Sequence, residues 1–406
     1  MITARTTTLL LLIPGSYALS NSNTCCSSGS QTVVSRPQLL ADLQLCRTPE
    51  HVLGRVGQKV SPRLDPNGEV SRLALVRLSK QLIAIDNKSH NQHDSWYPDI
   101  WESWSENNFE SLVDVLLESQ QNYDIADSAT LENVVEGVKA LSVMSRLIPD
   151  MKVESKVVES LKERQEQLEE LLRDKPHLLS GLDWAVENFR LKDQKFCLPK
   201  NLSRLVSEAG LSFKIYPALL GSCTSLTIEH LSRDVDFRVE TIRTASEKLV
   251  QERRETAWQG DDGIGPFLYS GKSMPRGHWS SSVLEVRKIL KAKTGQYYDC
   301  CLLNLYPDGG SGMRYHIDPD QGSLWDYDTA VVSVGATRRF AFRPIGQANT
   351  PPHNFVVMHG DVTWMFADCQ KCFQHTVKKA DQKDEIAPRI SLVYKRTWSG
   401  TNSKRR

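Results

Sequence analysis

The chain has 406 residues, 40% of them hydrophobic and 24% charged, which suffices for one large domain or two with a sizeable core and excludes wholesale disorder. The formal net charge of +1 hides an asymmetry, because residues 211–406 carry 27 Lys and Arg against 21 Asp and Glu while the remainder is acidic. The basic half permits a polyanionic partner without demanding one. No run of about 18 apolar residues occurs, so neither a membrane-spanning helix nor a membrane partner is expected. The nine unevenly spaced cysteines suggest a reducing compartment rather than a disulfide framework.

Residues 1–34 lack acidic residues, are rich in Ser and Thr, carry Arg5 and hold a short apolar run from Leu9 to Ile13. They read as a targeting segment. An organellar transit peptide for mitochondrion or chloroplast, a secretory signal ending near Tyr17-Ala18 and a bipartite combination all fit, and a nuclear destination stays open.

From residue 35 to 180 the apolar spacing is helical. Leu75, Leu78, Leu82 and Ile85 recur every three or four positions. So do Phe109, Leu112, Val113 and Leu116, then Leu131, Val134, Val135, Val138 and Leu141, and finally Val157, Leu161, Leu168 and Leu172. Breaks near Pro62, Pro66-Asn67-Gly68, His90–Pro98 and Pro149 divide an all-α domain that is either an armadillo-like array or a plain bundle, with RNA or protein as its expected partner. Trp96, Trp101 and Trp104 cluster between its helices, where core filling is the commoner role. Residues 181–210 form a connector with a helix or two.

After Leu211 the period changes. Phe213–Tyr216 reads as a strand, Thr224–Leu231, Glu240–Gln251 and Ser282–Ala292 as helices, and Tyr298–Tyr306, Ala330–Val334, Arg339–Arg343, Phe355–Met358, Val362–Met365 and Ile390–Lys395 as short strands. The expected class is α+β, with a C-terminal sandwich, jelly roll or barrel over 211–398 and a basic tail at 399–406.

The chemistry concentrates between Asn304 and Asp320. A glycine-rich turn leads into His316 and Asp318, which share one side of an extended chain and could bind one metal ion. Two histidines and a carboxylate make an iron(II) site. His375 is the preferred third ligand, with His359 in its His-Gly-Asp turn as competitor. Cys369-x-x-Cys372 beside His375 also suits zinc, although no second cysteine pair accompanies it. At the far end Arg389, Ser391, Val393 and Lys395 share one strand face. An arginine fork, a hydroxyl and a second cation suit a dicarboxylic acid such as 2-oxoglutarate, toward which Asn304 and Tyr306 could donate hydrogen bonds.

Arg254-Glu-Thr-Ala-Trp258, Tyr269-Ser-Gly271, Asn304-Leu-Tyr306, His316-Ile-Asp318-Pro-Asp320, Val332-Ser-Val-Gly-Ala-Thr-Arg338-Arg-Phe340, Gly360-Asp361, His375 and Arg389-Ile-Ser391 occur together and in order. In this the chain resembles the AlkB family of iron(II)- and 2-oxoglutarate-dependent nucleic-acid dioxygenases over residues 211–398. The resemblance implies a double-stranded β-helix with iron on His316, Asp318 and His375. It further implies 2-oxoglutarate on Arg389 with help from Asn304, Tyr306 and Ser391, and O2 as the second cosubstrate. Lys395 stands where the family has a second arginine. Tyr269 and Asp320 match residues that hold a flipped base, and Trp258 or Trp279 would line the lid or fill the core. The implied reaction couples decarboxylation of 2-oxoglutarate to hydroxylation of an N-methyl group on alkylated DNA or RNA, which then leaves as formaldehyde. Two other readings are a non-catalytic nucleic-acid or protein-binding module on a drifted jelly roll, and a dioxygenase that hydroxylates a protein or small molecule.

Overall fold

A buried aspartate starts the longest helix. The computed structural model describes residues 35–56, 60–61, 63–89, 109–118, 128–243, 246–269, 272–347, 349–381 and 387–398. The expected targeting segment, the cluster of Trp96, Trp101 and Trp104, and the basic tail lie outside them. Asp65 accepts the backbone N–H groups of Val70 at 2.9 Å and Ser71 at 2.7 Å, which satisfies donors that the first turn of helix Glu69–Ser89 would otherwise leave orphaned.

Leu75, Leu78 and Leu82 on that helix are fully buried, as are Leu131, Val134, Val135, Val138 and Leu141 on the neighbouring helix Ser128–Leu147. The two apolar stripes meet, as helical periodicity requires. Helix Pro176–Phe189 packs on the other side of Ser128–Leu147 and also lies against the strand His353–Val357. Two polar contacts pin that seam. Ser180 Oγ and His353 Nδ1 are 2.8 Å apart, and Arg146 donates to both carboxylate oxygens of the buried Asp361 at 2.8 and 3.0 Å. Helices and sheets together form one unit, Ser35–Arg406.

The C-terminal part mixes helix with antiparallel sheet. Its strands are β1 (Phe213–Tyr216), β2 (Arg238–Arg243), β3 (Leu249–Gly260), β4 (Phe267–Tyr269), β5 (Lys272–Met274), β6 (Cys300–Tyr306), β7 (Thr329–Gly335), β8 (Arg338–Pro344), β9 (His353–Val357), β10 (Val362–Met365), β11 (Phe373–Val377) and β12 (Arg389–Lys395). A large sheet runs β1-β10-β7-β12-β6-β3-β2, and a smaller one runs β11-β8-β9. Their inner faces meet, with the rings of Phe213 and Phe342 stacked at 3.9 Å. The outer face of the large sheet, with Leu303, Val332, Val334, Ile390, Leu392 and Tyr394, is covered by helices Ile228–Asp234 and Ser281–Thr294 through Leu231, Val283, Val286 and Leu290.

Two expectations shift. Glu240–Gln251 is not a helix but the hairpin of β2 and β3, with Thr241 opposite Gln251 and Ile242 opposite Val250. Its β-branched residues extend the large sheet through the pairing of β3 with β6, so tertiary pairing overrides the local helical pattern. The helix expected at Thr224–Leu231 begins at Ile228, because the Thr227 hydroxyl caps it by accepting the His230 N–H at 3.1 Å. His375 itself lies on β11, whose partner is β8.

Candidate metal and cosubstrate site

The site lies on the inner face of the large sheet where it meets β11. After β6 the chain from Gly309 to His316 returns alongside β11, held by Met313 N to Val377 O at 2.9 Å and by reciprocal His316 and His375 backbone hydrogen bonds of 2.9 and 3.1 Å. The approach is close enough that a Cβ at Gly312 would sit 2.9 Å from Val377 O, which is why a glycine occupies that position. The pairing brings the imidazoles of His316 and His375 to a centroid distance of 4.2 Å.

The ligand atoms of His316, Asp318 and His375 lie within 4.8 Å of one another. Asp318 Oδ1 is 3.7 Å from His316 Nε2 and 3.8 Å from His375 Nε2. His316 Nδ1 is 2.8 Å from the Arg314 carbonyl. A carbonyl only accepts, so Nδ1 carries the proton and Nε2 keeps its lone pair. The His375 ring stacks parallel to Phe340 at 5.8 Å.

Electrostatics keep these groups ready to bind a cation. Burial alone would raise Asp318, but Lys395, His375 and His316 outweigh it and hold the carboxyl well below the usual range. Burial, aided by the neighbouring His316, pushes His375 down to about 3. Both are therefore deprotonated at neutral pH, as metal ligands must be. Two neutral nitrogens and one carboxylate oxygen suit iron(II).

Lys395 corrects one expectation. Its Nζ lies 2.6 Å from Asp318 Oδ2, so the second cation expected for a dicarboxylic acid is engaged with a member of the metal cluster. Arg389 stands at the other end of β12, fully buried. Its guanidinium donates to Ser391 Oγ, and to Ser333 Oγ at 2.9 Å, while its Nε has no partner. Burial draws Arg389 down to about 10. Among the described residues no carboxylate pairs with it directly, an arrangement that favours an anionic ligand. Asn304, opposite Ser391, and Tyr306, opposite Arg389, lie on the same face. Asn304 Oδ1 is likewise buried without a partner. The donor set and the unpaired Arg389 Nε fit iron with a dicarboxylate.

The other sequence candidates separate. Tyr269 is half-buried, with the Arg254 guanidinium 5.3 Å and Lys272 Nζ 5.6 Å from its ring centre. Asp320 is exposed in a left-handed turn at φ 62°. Trp258 is core, packed on Phe267 and Trp325, with its indole N–H donated to the Gly265 carbonyl at 3.0 Å. Trp279 is on the outer side, over Tyr394. His359 lies near Gly335, its Nδ1 3.4 Å from that backbone nitrogen, and is not in the metal cluster. Cys369 and Cys372 are free thiols and do not join a metal-binding group among the described residues. Ser333 was missed, although its place opposite Ser391 on the same face of β7 is the signal that would have found it. Among the described residues no helix is long and apolar enough to cross a membrane.

Residues 222–397 match the family described as the 2OG-Fe(II) oxygenase superfamily. The chain is 29% identical over 161 residues to an uncharacterised protein of Acanthamoeba polyphaga mimivirus, covering 40% of this chain and 82% of that one. It is 30% identical over 184 residues to the alpha-ketoglutarate-dependent dioxygenase alkB homolog 3 of Bos taurus, covering 42% and 60%. It is 26% identical over 149 residues to the DNA oxidative demethylase ALKBH2 of Homo sapiens, covering 35% and 56%. The match thus spans less than two thirds of the bovine and human relatives. Oxygenases of this superfamily use iron(II), 2-oxoglutarate and O2, and residues 222–397 are similar to them and to the AlkB-type dioxygenases among these relatives.

Proposed function

We propose that the protein is a jelly-roll dioxygenase that oxidatively demethylates alkylated bases in DNA or RNA. The observation that carries this reading is a His316/Asp318/His375 cluster on the same inner face as a buried Arg389 that pairs with no carboxylate among the described residues. The name of the human relative, a DNA oxidative demethylase, supports a nucleic-acid substrate.

In this reading His316, Asp318 and His375 hold iron(II), and Lys395 fixes the orientation of Asp318, since groups that hold a metal ligand tune its affinity. Arg389, seated on Ser333 and Ser391, holds the distal carboxylate of 2-oxoglutarate, and Asn304 and Tyr306 complete the cradle. With iron and 2-oxoglutarate bound, the centre supplies the oxidising chemistry that hydroxylates an N-methyl group. Phe340 shields His375 from water. Tyr269, with Arg254 and Lys272 near its ring, offers a ring to a flipped base, and Asp320 offers a carboxylate to its edge. The catalytic part is placed at 211–398, with the helical segment 35–180 and its connector contacting a further nucleic-acid or protein partner.

The test is succinate and formaldehyde release by the full chain with iron(II), 2-oxoglutarate and DNA or RNA oligonucleotides bearing N-methylated bases. Release that requires both iron and the methylated strand is expected. No 2-oxoglutarate turnover with any methylated strand, but turnover with a protein or small-molecule acceptor, would overturn the substrate class.

A further inference from the structure

A groove of about 630 Å³ opens between helix Glu69–Ser89 and the small sheet, away from the metal cluster's own residues. Arg77, Lys80 and Lys88 on that helix, with Arg47 from the chain before it, form one wall, and Arg339 of β8 with Lys379, just past the end of β11, the other. All six are exposed or half-buried, and the only carboxylate among its described lining residues is Asp381. Asp381 engages Arg339 and, at 3.9 Å, Lys80. Among the described residues Arg47, Lys88 and Lys379 take part in no ion pair. A concave surface lined by one sign of charge concentrates its field and attracts the opposite charge.

The shape of the row selects among anions. Arg77, Gln81, Ala84 and Lys88 follow one another at helical spacing, so the cations at the two ends are separated by eleven residues, about 16 Å of helix axis. A line of that length suits an extended polyanion better than a compact phosphate. The groove also holds an unfilled acceptor. Gln81 is 8% exposed and donates Nε2 to the Cys46 carbonyl at 3.3 Å, while its Oε1 is buried with no partner. Inorganic phosphate brings only P–O–H groups to it, whereas a nucleotide brings base N–H and sugar hydroxyl groups as well. Lys379 follows His375 by four residues, roughly 13 Å of extended chain, so a strand in the groove lies near the element that carries a metal ligand.

We infer that this groove binds the phosphate backbone of a single-stranded nucleic acid, as a second contact beyond the base pocket. The inference rests on the proposed substrate class and deepens it, by giving the helical segment a share in holding the strand.

The test is equilibrium binding of an unmethylated fluorescein-labelled oligothymidylate to the full chain across a salt series. The variant Arg47→Gln/Lys88→Gln/Lys379→Gln removes three cations that touch neither the metal cluster nor Arg389. It is expected to weaken binding about tenfold at fixed salt and to flatten the slope of log affinity against log salt by about 2, since each neutralised phosphate contact on a single strand contributes about 0.7. A control with three surface lysines removed elsewhere, Lys152→Gln/Lys195→Gln/Lys200→Gln, should bind like the unaltered chain. Equal affinity and slope for the groove variant, equal weakening in the control, or tighter binding of tripolyphosphate or polyglutamate than of the strand would each overturn the assignment. Because the probe carries no methyl group, the outcome is independent of turnover. A groove effect without demethylation removes only the proposed reaction, and demethylation without a groove effect removes only the groove.

Discussion

Strand β12 presents two faces that are equally dry and chemically opposite. Every one of its seven residues is buried. Ile390, Leu392 and Tyr394 point outward into an apolar layer under helix Ser281–Thr294, while Arg389, Ser391 and Lys395 point inward with charges and hydroxyls. The outer face is finished on its own, because its contacts are with other side chains of the fold. The inner face is not, since Arg389 Nε and Asn304 Oδ1 remain unsatisfied and unpaired buried polar groups cost about 1–3 kcal/mol each. Stability is thus invested on one side of the strand, and binding capacity on the other.

Substitutions on the two faces should therefore fail in different ways. The largest effect is expected for His375→Ala, which removes a metal ligand and should lower iron-dependent succinate formation at least about a thousandfold, some 4 kcal/mol, with little change in melting temperature. Leu392→Ala on the opposite face should do the reverse, lowering unfolding free energy by about 2–5 kcal/mol in chemical denaturation while leaving the KM for 2-oxoglutarate unchanged. A selective rise in that KM for Leu392→Ala would break the separation. Arg389→Met should raise the KM for 2-oxoglutarate about a hundredfold, and also abolish the thermal stabilisation that 2-oxoglutarate gives the iron-loaded protein. Lys395→Met should weaken iron retention about tenfold in a chelator competition and leave 2-oxoglutarate affinity nearly intact. Parallel losses in both affinities would return Lys395 to the cosubstrate.

The smallest expected effect concerns the seam between helix and sheet. Burial depresses His353 to about 3, with His177 and Lys139 adding to it. Below pH 6.5 the unfolded chain takes up a proton that the folded seam refuses, so this contribution to stability is complete above 6.5 and is lost as pH falls toward 3. His353→Gln should flatten the fall in melting temperature across that window relative to the unaltered chain; an identical pH profile would show that the histidine is not the sensing group.

The metal pair was legible because its residues are close in the chain, and β12 because its alternation is clear. His375 needed more, since only the pairing of β11 with β8 and with the returning Gly309–His316 segment makes it a neighbour of His316. The ion pair of Lys395 with Asp318 joins residues 77 apart and leaves no periodic trace. The β2/β3 hairpin was misread because its charged residues mimic a solvated helix, and only the adjacent β6 decides the matter. Trp258 could not be placed from its motif, because the same strand that bears it has a buried pocket of aromatic rings waiting on one side.

The contact of Arg146 with Asp361 has a consequence for how this chain can be divided. Asp361 is wholly buried, and besides Arg146 it accepts the backbone N–H groups of Ala218 and Met358, both at 2.8 Å. Its carbonyl receives the Ser333 N–H at 2.9 Å, one residue's hydroxyl away from the Arg389 guanidinium. Cutting the chain before Leu211 would strand that carboxylate in the interior, at a cost of about 3–5 kcal/mol, a large share of a typical domain's total stability. The helices thus act as a prosthetic half of the barrel wall: a truncated oxygenase would have to be re-engineered at Asp361 before it could be expected to stand alone.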